Sequence, residues 1–255
     1  MNLQGKKALI MGLANERSIA YGIAKALREA GAELAFTYIP LVEKRMRPLA
    51  EELGAKIILP CDVGSDEEIQ KMAQQLHNQW GGELDVLIHS LAYAERADLE
   101  HGFCQTSRAG FLKAVEISAY SLVGVTRALL PSLEKAKGSV ICLSYYGAER
   151  VVTNYNVMGV AKAALESSVR YLAADIGEKG IRVNAISAGP IRTLAASGVK
   201  DFKSILSSIE SKAPLRRNIT IEDVGQTALF LASKASSAIT GEVLYVDCGY
   251  NIMGL

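Results

Sequence analysis

Seven short runs, each almost continuously apolar, recur along this chain and alternate with longer stretches of helical period. They are KKALIMG (6–12), ELAFTY (33–38), AKIILP (55–60), LDVLIHS (84–90), GSVICLS (138–144), IRVNAIS (181–187) and EVLYVD (242–247). A strand apolar on both faces must be covered on both, and regular β-α alternation supplies that cover only in a parallel sheet flanked by helices. The intervening patterns predict helices over 18–30, 41–53, 66–79, 107–136, 155–177, 201–212 and 222–233. Ser65 with Glu68 reads as a capping box opening the third helix, and Thr220 with Asp223 as a weaker one. Gly31, Gly54 and Gly180 stand where a left-handed residue ends a helix. The expected fold is α/β: a doubly wound, parallel, seven-stranded sheet with helices on both faces, a Rossmann fold. It is read as a single domain over 1–255, without linker or repeat.

At 255 residues and 49% apolar content the chain can bury a substantial core. Its net charge of +1 points to no nucleic-acid or acidic-membrane partner. Cys61, Cys104, Cys142 and Cys248 lack C-x-x-C pairing, and His77, His89 and His101 lack metal-ligand spacing, so no metal is expected. No run is long enough to span a membrane, and the first strand begins too early for a signal peptide. A soluble, cytoplasmic protein is the expectation.

Ligands of such a sheet bind at the carboxyl ends of its strands. In MGLANERSIAYGIAKAL, Gly12 gives a sharp turn and Ser18 a helix cap. The Ser18 and Ile19 amides would then face a pyrophosphate at a helix N-terminus. The loop is not G-x-G-x-x-G, and a plain strand-helix turn would also account for it. The second strand ends in Tyr38, Ile39 and Pro40, with no acid for a ribose hydroxyl. Lys44, Arg45 and Arg47 could meet a 2′-phosphate or form a solvated helix face, which leaves NADH against NADPH open. Asp62 and Val63 would read an adenine, although a strand-end turn explains Asp62 equally well. Ser90 and Leu91 would run along the ribose and nicotinamide.

The stretch SYYGAERVVTNYNVMGVAK (144–162) puts a phenol, Tyr155, seven residues ahead of Lys162, with Tyr145 just past the fifth strand. Seven residues are nearly two helical turns, so the two would share one face of a helix beginning at 155. Lys162 would grip ribose hydroxyls and lower the Tyr155 pKa, and Tyr155 would stabilise charge developing on a carbonyl oxygen. A surface lysine and a tyrosine capping an apolar helix would give the same spacing; the position after the fifth strand argues for the functional reading.

Gly12 with Ser18-Ile19, CDV (61–63), HSLA (89–92), LSYYGAERVVTNYNVMGVAKAALE (143–166) and RVNAISAGPIRTLAASGVKDF (182–202) together resemble the NADH-dependent enoyl-acyl-carrier-protein reductases of bacterial fatty-acid synthesis. These are a divergent branch of the short-chain dehydrogenase/reductases, and the similarity runs from the first strand to GEVLYVDCGY. The resemblance implies Tyr155, Lys162 and Tyr145 as catalytic residues. It implies cofactor contacts at Gly12, Ser18, Ile19, Asp62, Val63, Leu91, Lys162, Ile191, Arg192, Thr193, Leu194 and Ala195, and a substrate contact at Ala94. Ile39 stands where the family often has glutamine, which weakens the carried-over NADH preference. The implied reaction is reduction of a trans-2-enoyl thioester on acyl carrier protein. A lid over the acyl chain around 190–212, carrier docking at Lys200 and Lys203, and a homotetramer built on Ser118, Ala119, Gly124, Ala163, Ala164, Ser167 and Ser168 follow from it. The alternatives are a ketone or 3-oxoacyl reductase, disfavoured because Gly159 rather than lysine follows Tyr155 by four, and a non-catalytic dinucleotide-binding protein.

Overall fold

The apolar runs form strands β1 (Lys7–Met11), β2 (Glu33–Tyr38), β3 (Ile57–Pro60), β4 (Val86–His89), β5 (Ser139–Ser144), β6 (Arg182–Ala188) and β7 (Val243–Val246). The computed structural model describes residues 1–193 and 202–254. All seven strands join one sheet in the order β3-β2-β1-β4-β5-β6-β7, and every neighbouring pair is parallel. Among the described residues the helices are α1 (Ile19–Glu29), α2 (Pro40–Glu52), α3 (Asp66–Trp80), α4 (Arg96–Glu100), α5 (Arg108–Val115), α6 (Ser121–Ala136), α7 (Val157–Ile176), α8 (Phe202–Lys212) and α9 (Ile221–Ala232).

Strand side chains alternate between two cores, as the two-residue pleat requires. Ala8 and Ile10 of β1 join Ile141 and Leu143 of β5 in one core, against Ile23 and Leu27 of α1, Met46 of α2 and Val224 and Leu231 of α9. Leu9 and Met11 join Val140 and Cys142 in the other, against Met72 of α3, Val125 of α6 and Leu165 of α7. Three helices thus cover each face, as the doubly apolar strands predict. α1 and α9 cross where neither carries a side chain: a Cβ on Gly22 would lie 2.4 Å from the Ile221 carbonyl oxygen, and one on Gly225 2.5 Å from that of Gly22.

Four local expectations are corrected. The helix read over 107–136 is α5 and α6 joined by a wide π-helical turn, Glu116–Tyr120. The helix read from 155 begins at Val157. The short α4 carries too few residues for a periodic signal. At Ser65 only half of the capping box forms: its hydroxyl accepts from the Glu68 amide, but the Glu68 carboxylate accepts from Asp62 N–H at 2.7 Å. The box at Thr220 is complete, and Arg217 clamps its Asp223 at 2.6 and 3.1 Å. Gly31, Gly54 and Gly180 do adopt positive φ.

Candidate active site

The strand order reverses between β1 and β4, and the crevice over such a switch point is where open α/β sheets bind ligands. Gly12, at φ +96°, closes the β1 loop so tightly that a Cβ would sit 2.0 Å from the Ser90 carbonyl oxygen beyond β4. Ser18 occupies the N-cap position of α1 but does not cap it with its side chain. Its hydroxyl instead accepts from the Ala14 and Asn15 amides at 3.1 and 3.0 Å, which folds the loop. The Ser18 amide is itself bonded to the Asn15 carbonyl, so the amides that a helix start leaves without intrahelical acceptors are those of Ile19 and Ala20. An eleven-residue helix directs its positive end there.

At β3, Asp62 is exposed and accepts from the Gly64 amide at 2.9 Å, a strand-end turn that leaves carboxylate valence for a ligand. Val63 is core. At β2, the structure supplies an acid that the sequence reading missed. Glu43 holds Arg47 at 2.7 and 3.3 Å, while the guanidinium lies 5.3 Å from the Tyr38 ring centre. The hydrogen bond from Arg47 keeps the Glu43 carboxyl below its ordinary range. Arg47 is therefore already engaged, whereas Lys44 and Arg45 are exposed. Local i, i+4 spacing was the signal that could have revealed this pair.

The phenols gather at the end of β5. Tyr155 lies in a turn just before α7, flanked by Asn154 and Asn156 at φ +66° and +43°. Asparagine is among the side chains that tolerate positive φ best, but Asn156, with ψ −122°, lies outside the left-handed helical region and so is strained. Asn156 anchors the turn by donating to the His101 carbonyl at 2.7 Å. The Tyr155 ring stacks edge-on against Tyr145, centroids 4.8 Å apart at 71°. It also rests on Gly147, where a Cβ would come within 2.5 Å of it. Gly147 and Gly159 passed unremarked as site residues; the Gly159 Cβ would meet the Gly147 carbonyl oxygen at 2.8 Å. Ala94 joins Tyr155 against the small cluster of Leu99, Ala114, Val157 and Met158.

Lys162 is 5% exposed, and its ammonium donates to the Leu143 carbonyl at 2.7 Å. Burial pulls it down to about 8. Burial also pushes Tyr145 up to about 12 and Tyr155 well above the ordinary phenol range, the latter aided by Tyr145 and Glu166. Burial and the neighbouring Tyr145 and Glu166 all act in the direction opposite to the lowering expected from Lys162. Tyr155 is a protonated donor. His89 is buried, held down at about 3, with Nε2 2.8 Å from Ser121 Oγ. As Ser121 donates to the Ile117 carbonyl, the His89 proton sits on Nε2 and its buried Nδ1 has no partner.

Ile191, Arg192 and Thr193 follow β6 at the same sheet edge; Leu194 and Ala195 lie outside the described residues, as does Lys200. Ser118 and Ala119 are buried by packing within this chain, while Ala163 is exposed. Among the described residues no cluster of metal-ligating side chains occurs. The donor set fits a dinucleotide: amides at a helix start for a pyrophosphate, Asp62 for a base, and a buried ammonium for sugar hydroxyls.

The family profile described as enoyl-(acyl carrier protein) reductase matches residues 12–251. The enoyl-(acyl-carrier-protein) reductase (NADH) of Aquifex aeolicus is 54% identical over 254 residues, covering 99% of this chain and 94% of its own. That of Nostoc is also 54% identical, over the whole of both chains. The crystal structure from Aquifex aeolicus superposes with a TM-score of 0.96 over 99% of each chain. The Bacillus cereus reductase, solved with NADP+ and indole naphthyridinone, is 52% identical and superposes at 0.94 over 100% of each chain. Identity of this order along the full length, on the same fold, shows that the chain belongs to the enoyl-(acyl-carrier-protein) reductase family.

Proposed function

We propose that Tyr155 donates to the thioester oxygen of a trans-2-enoyl substrate, that Lys162 binds the sugar next to the nicotinamide, and that Tyr145 lines the substrate side. The reaction is the NADH-dependent reduction of enoyl-acyl-carrier-protein in fatty-acid synthesis, the activity of the family to which the chain belongs. Bound in the switch-point crevice, NADH supplies a hydride to the substrate β-carbon. Negative charge then develops on the thioester oxygen, where Tyr155 offers a protonated phenol whose hydrogen bond strengthens as that charge grows. The α-carbon takes up a proton to complete the reduction. The observation that carries this reading is the Tyr155–Tyr145 pair at the end of β5, with Lys162 buried on the adjoining helix.

A ketone reductase with lysine four residues after tyrosine is disfavoured, because that position is Gly159, packed against the Gly147 carbonyl with no room for a side chain. At the end of β2 Arg47 is held by Glu43 while Lys44 and Arg45 are exposed, so the preference for NADH is drawn from the relatives rather than from this helix. Residues 1–255 act as one domain with 190–212 as substrate lid. Lys203, exposed on α8, helps receive the acidic carrier. Exposed Val160 and Tyr171 on α7, with Leu112 and Tyr120 on α5 and the π-turn that pack against it, support a homotetramer. Among the described residues no helix is long and apolar enough to cross a membrane.

Kinetics with crotonyl-carrier protein test the assignment. Tyr155→Phe should cut kcat by roughly 10²-fold with little change in NADH affinity, and Lys162→Ala should lose NADH binding. The reverse pattern would count against both roles.

A further inference from the structure

α7 carries a second buried charge that the reaction has not used. Glu166 lies one helical turn beyond Lys162, and each is 5% exposed. Both face the end of β5, where Lys162 Nζ donates to the Leu143 carbonyl at 2.7 Å and Ser144 Oγ donates to Glu166 Oε1 at 2.5 Å. An i, i+4 pair on the helix is thereby registered to two successive strand residues, and the residue after them is Tyr145. A carboxylate in such a place is not explained by packing. An apolar side chain of similar size would avoid its desolvation, and a serine hydroxyl can be satisfied by backbone.

We propose that Glu166 is a positioning residue for the reaction: anchored by Ser144, its carboxylate keeps Lys162 charged and in register with the strand end that presents Tyr145. The inference rests on the assignment of Lys162 to the cofactor sugar. The other groups around the ammonium do not change charge in the neutral and mildly basic range. Cys142 of β5 stays a thiol because burial pushes it up to about 12, and His89 of β4 stays neutral because burial holds it near 3. Around Glu166 stand Arg170 on its own helix, Glu149 beyond β5, and the phenols Tyr155 and Tyr245, both raised above their ordinary range. Burial raises the Glu166 carboxyl above its ordinary range and Glu149 adds to this, while the Ser144 hydrogen bond, Arg170 and Lys162 favour its charged form.

The test is Glu166→Gln, which retains an acceptor for Ser144 but removes the charge. Enzyme labelled with 13C at lysine Cε is titrated without cofactor, and Lys162→Met identifies the resonance. Loss of the neighbouring negative charge should lower the Lys162 midpoint by about one unit, up to about tenfold in protonated fraction on the basic side. The high-pH limb of kcat/KM should move the same way. Should Glu166→Gln fail to fold, the double variant Ser144→Ala/Glu166→Leu removes the same charge without leaving either polar partner unpaired, and gives the same readout. An unmoved Lys162 titration in the folded variant overturns the inference. Retention of NADH affinity by Lys162→Ala would instead overturn the cofactor role of Lys162, so the two failures are told apart.

Discussion

Tyr155 can rest where it does because Gly147 has no side chain. Its ring occupies the space that a Cβ there would need, so Gly147→Ala must tilt the phenol or push the 146–148 turn away. Misplacing a catalytic group by about 1 Å costs on the order of 10²-fold in rate, so kcat should fall by at least tenfold while NADH affinity holds. Steady-state kinetics beside a fluorescence titration of NADH would check it; an unchanged kcat would mean that the ring is not held by this contact. That Tyr145 and Tyr155 gather at the end of β5, with Lys162 buried on the helix beyond, was legible because the two phenols and the ammonium follow the fifth strand in sequence. Gly147 and Gly159 were not legible, since their role is to be small opposite a particular ring and carbonyl. The direction of the Tyr155 pKa was misjudged for a related reason: linear spacing shows the lysine, whereas burial, the chief cause of the rise, exists only in the folded chain.

Among the elements, the strands and long helices were readable from period alone, and the departures fall where geometry is local. The π-helical turn Glu116–Tyr120 keeps the apolar stripe of a continuous helix while adding one residue to a turn, so periodicity does not separate it from α5 and α6. The start of α7 is displaced by two residues because Asn154 and Asn156 adopt positive φ, which places Tyr155 ahead of the helix. The crossing of α1 and α9 is the clearest energetic prediction at this scale. Gly22 and Gly225 each meet the opposite backbone at under 3 Å from an added Cβ. Neither partner atom is the end of a flexible side chain, so the helices must separate. Gly22→Ala should cost about 1–3 kcal/mol. In a chain of this size that lowers Tm by several degrees, roughly 2–4 °C per kcal/mol. Differential scanning calorimetry gives the answer, and an unchanged Tm would show that the helices are not pinned there.

For the molecule as a whole, His89 imposes a pH dependence. Its folded pKa of about 3 lies below its ordinary 6.5. The unfolded chain therefore takes the proton first, so this part of the stability is complete above about 6.5 and is lost as pH falls toward about 3. The slope from one such proton is at most about 1.4 kcal/mol per pH unit. Urea unfolding across that window should show His89→Leu with a flatter dependence than the parent, and identical slopes would rule His89 out as the source. The assembled state is tested separately: light scattering should return four chains per particle, and Tyr171→Glu should reduce that mass if the exposed α7 face is the contact.

Parallel pairing throughout the sheet has a further effect, on how the chain reaches this state. No neighbouring strands can be joined by a hairpin, and the central contact, Ala8 with Val86, closes a loop of nearly eighty residues. During synthesis β1 must wait for β4 to leave the ribosome, holding the unpaired edge of a strand that is apolar from Ala8 to Met11 in the meantime. Refolding from denaturant should accordingly be slow and lose yield as protein concentration rises, through self-association of that waiting edge rather than any weakness of the finished sheet.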